Sequence, residues 1–441
     1  MLFKGFSSVF LYLLAVGPYK GVSAQLSPER GVPKGRWVDT WVSMPQLTEP
    51  GNLPPAPFTT PTSVFTDSTI RQTVRVSIGG DQIRVRFSNA FGINDLQISA
   101  VTVALPSGAA GVSAIKLPTL KTLTFSGSPN FTIPNGALAV SDPVKFTVQP
   151  QSILTITVYL ANGQQGNAIT SHPGSRTTSW ISRGNHVSAE DMTDESTTSV
   201  AHWYFISSVE SWASQSASSF VIVGDSITDG RGSDTDKNNR WPDLLLARMQ
   251  KNKATSQIAI NNQAAGGNRI LNDGLGPNAL GRIDRDVLAH AGVKYVMIFE
   301  GVNDIGTTDT SALSQAKIGD RVIAAFQQIA TRVHAFGIPI FAATITPFCA
   351  PANQSSIQPY SDPMREVTRQ RVNAWIRNSG VFDYVVDFDK LLADPTIPSQ
   401  LNPMYDSGDF LHPNVNGYGA IANAFPLGIF GQFAGGVSGS Q

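Results

Sequence analysis

Ser226 stands in Gly224-Asp225-Ser226-Ile227-Thr228-Asp229-Gly230, directly after the apolar run Phe220-Val221-Ile222-Val223. A hydroxyl at the carboxyl end of a buried strand, with glycine close by, can be presented at the open edge of a sheet. The same segment also reads as a strand-to-helix turn with a Ser or Asp cap. It is not the G-x-S-x-G elbow of α/β-hydrolases, because Thr228 holds the second glycine position. A nucleophilic serine needs a base. Of the six histidines, only His412 has its own carboxylate in a turn-rich segment, Asp409-Phe410-Leu411-His412-Pro413. Asp409 can hold one ring nitrogen, leaving the other to take the serine proton. Alone, that spacing also describes a surface turn. Acyl transfer further needs uncharged donors for an oxyanion. Asn262-Gln263-Ala264-Ala265-Gly266-Gly267-Asn268 and Gly301-Val302-Asn303-Asp304 offer them after two more apolar runs.

The elements that must position these residues differ between the two halves of the chain. From Trp37 to about Phe205, β-branched residues alternate with polar ones, and Gly, Pro, Ser and Asn punctuate them. This predicts an all-β sandwich, jelly-roll-like, over residues 25–210. Val74-Arg75-Val76-Ser77-Ile78 and Ile83-Arg84-Val85-Arg86-Phe87, joined by the turn Gly79-Gly80-Asp81-Gln82, read as a hairpin with a solvated basic face. Serine-rich residues 211–219 read as a linker. Beyond them, apolar runs at 220–223, 258–260, 295–299 and 338–344 alternate with helical periods, including Ile318 to Phe336 and a helix over 364–379. That alternation predicts a parallel sheet with helices packed on it over residues 220–434, followed by a flexible tail at 435–441.

Taken in order, the blocks Gly224-Asp225-Ser226, Gly267, Gly301-x-Asn303-Asp304 and Asp409-x-x-His412 resemble the SGNH (GDSL-type) hydrolase superfamily across residues 219–425. The resemblance implies a flavodoxin-like three-layer α/β/α sandwich, no metal and no cofactor. It implies Ser226 as nucleophile, Asp409 and His412 as its triad partners, and Ser226, Gly267 and Asn303 as the oxyanion hole, with Gly266 as the neighbouring alternative to Gly267. Ser88-Asn89-Ala90-Phe91-Gly92 and the stretch from Asn262 to Arg269 are similar to a xylanase-associated esterase-like branch with an N-terminal β-domain. The expected activity is a serine esterase acting on small-molecule or polysaccharide esters, with acetyl on plant polysaccharide favoured. A lipase or broad carboxylesterase is the alternative within the class. A carbohydrate-binding protein on an inactive hydrolase scaffold is the alternative outside it.

Composition narrows the rest. The 441 residues carry 32 Lys+Arg against 32 Asp+Glu, so no overall field draws the chain to nucleic acid or anionic membrane. Charged residues are 15% of the chain, which argues against a coiled coil or a charge-rich disordered protein. Lys4, an apolar run from Val9 to Val16 and the small residues Val22-Ser23-Ala24 read as a signal peptide over residues 1–24, predicting secretion. No other stretch reads as an integral membrane segment. Asn130-Phe131-Thr132 and Asn353-Gln354-Ser355 are sequons of a possible glycoprotein, and the lone Cys349 reads as a small buried hydrophobe. Asp234-x-Asp236-x-Asn238 lacks the glycine and glutamate of a calcium loop. Gly274-x-Gly276-x-x-Ala279 lacks the preceding strand of a dinucleotide site.

Overall fold

Alternating apolar positions in the N-terminal half become antiparallel strands in the computed structural model, which describes residues 34–439. The longer ones are β1 (Gly35–Val42), β2 (Ser68–Arg75), β3 (Gly80–Ser88), β4 (Ala100–Ala104), β5 (Ile153–Leu160), β6 (Ser179–Arg183) and β7 (Ile206–Ser214). β7 lies between β1 and β3 in a five-stranded sheet, and β2 lies between β5 and β6 in a six-stranded one. Successive side chains point to opposite faces of a strand. Ile70 and Val74 of β2, Val85 and Phe87 of β3, and Ile156 and Val158 of β5 accordingly meet in one buried cluster.

Two expectations are corrected here. Residues 74–87 do not form a hairpin, because β2 and β3 pair with different partners in different sheets. Apolar alternation reports which face is buried and not which strand lies alongside. The basic face is not solvated either, since Arg84 and Arg86 both pair with the buried Glu210 of β7 at 2.5 and 2.6 Å. Residues 211–219 are not a linker. They are the end of β7, a short turn at 215–217 and the start of the next strand. Their small side chains serve close packing, with Ala213 and Ala217 meeting Val38, Ile78 and Ala259 in a buried cluster.

The C-terminal half builds a parallel sheet from β8 (Ser218–Gly224), β9 (Ile258–Ala264), β10 (Val293–Phe299), β11 (Ile340–Ala343) and β12 (Tyr384–Val386). The spatial order is β9-β8-β10-β11-β12, an order found in doubly wound α/β proteins. The four expected apolar runs fall on β8 to β11, whereas the three-residue β12 carries too little pattern to be read. The helices that matter for the site are α1 (Ser226–Asp229), α2 (Trp241–Gln250), α3 (Val302–Thr307), α4 (Ala312–His334), α5 (Pro363–Asn378) and α6 (Val415–Ala424). Trp241 is fully buried, as a packing residue should be. The segment after 434 is tied down where it is described, with Val437 N–H donating to Gly337 O at 3.1 Å. The signal-peptide expectation lies outside the described residues. Among the described residues no helix is long and apolar enough to cross a membrane.

Candidate active site

Strand β8 ends at Gly224, where a Cβ would stand 3.0 Å from Phe299 O of the adjacent β10. The chain then turns into α1, capped by Asp225, whose carboxylate accepts from Ile227 N–H at 3.0 Å. Ser226 is the first residue of that helix, so its N–H has no intrahelical acceptor. Its Oγ lies 2.7 Å from His412 Nε2. His412 Nδ1 lies 2.6 Å from Asp409 Oδ2, while Asp409 Oδ1 accepts from the N–H groups of His412 and Leu411 at 2.9 and 3.1 Å. Burial pushes the Asp409 carboxyl up. The His412 ring and the two backbone donors outweigh it and hold the group well below the usual carboxylate range. An ionised Asp409 fixes the Nδ1–H tautomer, which leaves Nε2 free to accept from Ser226.

The donor positions converge on the same edge. Gly266 N–H is engaged, donating to Asp229 Oδ2 at 2.9 Å, whereas Gly267 N–H has no acceptor in the structure. Gly267 holds φ at +73°, and an added Cβ there would collide with Leu275 at 2.3 Å. Asn303, at the start of α3, donates one amide hydrogen to Asn268 O at 2.9 Å and accepts the Tyr360 hydroxyl on Oδ1 at 3.1 Å. Its second N–H remains. Its neighbour Asp304 binds the second block in place, accepting from Ile270 and Leu271 N–H at 2.8 and 3.1 Å.

All five expected residues are thus brought together. Ser226, Gly267, Asn303 and His412 line one open cleft of ≈ 350 Å³, and Asp409 stands behind His412. The chain Asp409–His412–Ser226 can move a proton off the serine, and Gly267 and Asn303 line the same cleft. Among the described residues no group of three His, Cys, Asp or Glu is placed to hold a metal ion. Cys349 lies outside this cleft, and burial pushes its thiol up to about 11, which suits the expected inert role.

Several residues of the cleft were not signalled by the sequence. The β-rich half supplies Glu49, Asn52 and Arg176, and the loop before α5 supplies Tyr360. His172, which has no partner pattern in the sequence, lies with Nε2 2.9 Å from Asp229 Oδ1 and Nδ1 3.0 Å from Met44 O. Both are buried, and a Cβ on the following Gly174 would stand 1.7 Å from Asp229 Oδ2. Asp229 therefore connects the β-rich half to Gly266, the neighbour of Gly267. Behind the serine, Asp225 and Glu300 are fully buried, and burial raises their carboxyls to about 7 and about 8.

The GDSL-like Lipase/Acylhydrolase family matches residues 222–420. Similar solved structures include a GDSL-like lipase from Bacteroides thetaiotaomicron VPI-5482, 18% identical over 47% of this chain and 84% of its own, with a TM-score of 0.33. Another is an acetylxylan esterase from Geobacillus stearothermophilus, 20% identical over 47% of this chain and 93% of its own, with a TM-score of 0.35. No curated protein matches the chain. With the family match lying over the segment that carries Ser226, Asn303, Asp409 and His412, the chain is a carboxylic ester hydrolase with a GDSL-like lipase/acylhydrolase domain.

Proposed function

We propose that the protein is a secreted serine esterase that removes short acyl groups, acetyl above all, from plant polysaccharide. The observation that carries the mechanism is the continuous chain from Asp409 through His412 to Ser226 Oγ, with links of 2.6 and 2.7 Å. Ser226 Oγ attacks the ester carbonyl while His412 Nε2 takes its proton. The N–H groups of Ser226 and Gly267 and the free Asn303 amide hydrogen hold the oxyanion. His412 passes the proton to the leaving alcohol, giving an acyl-Ser226 ester. Water then loses a proton to His412 and attacks that ester. The proton returns to Ser226 Oγ as the carboxylic acid leaves.

The short-acyl reading rests on the cleft. Its walls set Glu49, Asn52, Arg176 and Arg231 beside Leu275, Tyr360 and Leu411, and the polar groups suit a hydroxyl-rich alcohol while the few apolar ones suit a short acyl group. In this reading the parallel sheet is the middle layer of a flavodoxin-like α/β/α sandwich. The two antiparallel sheets, which share one buried core, form a jelly-roll-like sandwich whose loops complete the cleft. Hydrolysis of 4-nitrophenyl esters tests the proposal. Ser226→Ala is expected to lower kcat for the acetate by at least ~10³-fold with its thermal unfolding unchanged. Wild-type kcat/KM is expected to fall steadily from acetate to octanoate. Equal rates in wild type and Ser226→Ala would overturn the nucleophile, and a maximum at octanoate would overturn the acyl preference.

A further inference from the structure

Arg176 lines the cleft that holds Ser226 and His412, reaching it from the loop that precedes β6. Among the described residues its side chain has no hydrogen-bond or ion-pair partner, and its Nε is buried. Among the described residues the other arginines without a partner, Arg36 and Arg321, are both exposed to solvent. A guanidinium nitrogen buried without a partner is costly unless something else completes it.

The surrounding structure holds Arg176 in place. Its φ is +48°, a left-handed conformation that costs a non-glycine residue about 1–2 kcal/mol. The turn is fixed by Thr177 N–H donating to Ser175 Oγ at 3.1 Å and by Asp236 N–H donating to Arg176 O at 2.9 Å. The Asp236 carboxylate in turn accepts from Thr178 N–H and Thr178 Oγ1, both at 2.7 Å. Strain kept at a cleft wall is a mark of a functional residue.

Each carboxylate of the cleft is already engaged. Glu49 accepts from Gln46 Nε2 at 2.6 Å and Asn52 Nδ2 at 2.9 Å. Asp229 is held by His172 and Gly266, and Asp409 by His412. Among the described residues Arg176 is left without a counter-ion, a half-buried cation lining the same cleft as Ser226. A planar guanidinium binds a carboxylate through two parallel N–H donors.

We infer that Arg176 determines specificity by receiving a carboxylate on the alcohol portion of the ester, so that the enzyme favours acylated acidic sugars over neutral ones. This rests on the esterase reading, in which the acyl group is short and the charge must lie on the alcohol.

The test compares 4-acetoxybenzoate with 4-acetoxybenzamide, which share the acetyl group and differ in charge. Wild type is expected to favour the carboxylate in kcat/KM by about tenfold, the scale of a hydrogen-bonded charge. Arg176→Gln is expected to bring that ratio close to one, and Arg176→Lys to leave it in between, because lysine keeps the charge without the fork. A wild-type ratio of one or less, or a ratio unchanged in Arg176→Gln, overturns the inference. Failure of wild type to cleave either ester would instead overturn the esterase reading. Calorimetric binding of 4-hydroxybenzoate and 4-hydroxybenzamide to Ser226→Ala, with and without Arg176→Gln, then decides the role of Arg176 without chemistry. A benzoate preference that disappears with Arg176 upholds the role, and equal binding of the two ligands overturns it.

Discussion

At Asn303 the amide is oriented from both ends, with Nδ2 donating to Asn268 O at 2.9 Å and Oδ1 accepting from Tyr360 at 3.1 Å. Orientation fixed before the reaction is what makes a neutral donor effective against a developing charge. Asn303→Ala is therefore expected to lower kcat by ~10²–10³-fold with a smaller change in KM, read from steady-state kinetics on 4-nitrophenyl acetate. Unchanged kcat would remove Asn303 from the site. A second expectation concerns Glu300, whose carboxylate oxygens are buried without hydrogen-bond partners, with Arg282 4.0 Å away. Burial raises its carboxyl from 4.5 to about 8, against the opposing charge of Arg282. A proton held more tightly in the folded state stabilises the fold below the unfolded value. That contribution is lost as pH rises through about 8. Glu300→Gln keeps the shape and removes the titration. Relative to wild type it is expected to gain on the order of 1–3 kcal/mol in denaturant stability between mildly acidic and mildly alkaline buffer. A parallel pH profile for the two proteins would refute this. Ser226, Asp409 and His412 were legible in the sequence because their blocks are local and chemically marked. Arg176 and Tyr360 were not, since nothing near them in the chain reports a cleft assembled from distant loops.

The elements show the same division between local pattern and distant pairing. α4 could be read because Ile318, Val322, Phe326, Ile329 and Val333 recur on one buried face. The strands β8 to β10 could be read because strands buried on both faces are apolar throughout. The supposed hairpin failed because β2 and β3 each answer to strands elsewhere: β2 to β5 and β6, β3 to β7. The most consequential pairing of this kind joins the strand Thr170–His172 to α1 through His172 and Asp229 at 2.9 Å. Removing the imidazole leaves a buried Asp229 oxygen without its hydrogen-bond partner, at a cost of about 1–3 kcal/mol. His172→Ala is expected to destabilise the protein by that amount in urea titration. It is also expected to lower kcat, because Asp229 holds Gly266 N–H beside Gly267. Full stability and full activity in this variant would show that the contact does no positioning.

For the whole molecule, the question is whether the two halves behave as separable modules. A serine-rich boundary suggests that they do, yet the described residues from 35 to 439 fall in one compact unit. Buried polar bonds cross between the halves. Asp39 Oδ2 of β1 lies 2.8 Å from His290 Nδ1 and accepts from Ala291 N–H at 2.6 Å. Asn261 Nδ2 of β9 donates to Asp39 O at 3.0 Å, and Ser77 Oγ donates to Ile260 O at 2.9 Å. Unfolding either half alone would leave these groups and the His172–Asp229 pair buried or exposed without partners, a penalty of several kcal/mol in total. Chains of this length commonly unfold domain by domain. Here the shared polar contacts and the shared cleft argue for one coupled transition. Differential scanning calorimetry of the protein is expected to give a single endotherm, with loss of 4-nitrophenyl acetate hydrolysis following the same curve. Two resolved endotherms, with activity surviving the first, would mean that the β-rich half can melt without disturbing Gly266 and Gly267. The contacts through His172 and Asp39 would then be accessory to a catalytic half that stands on its own.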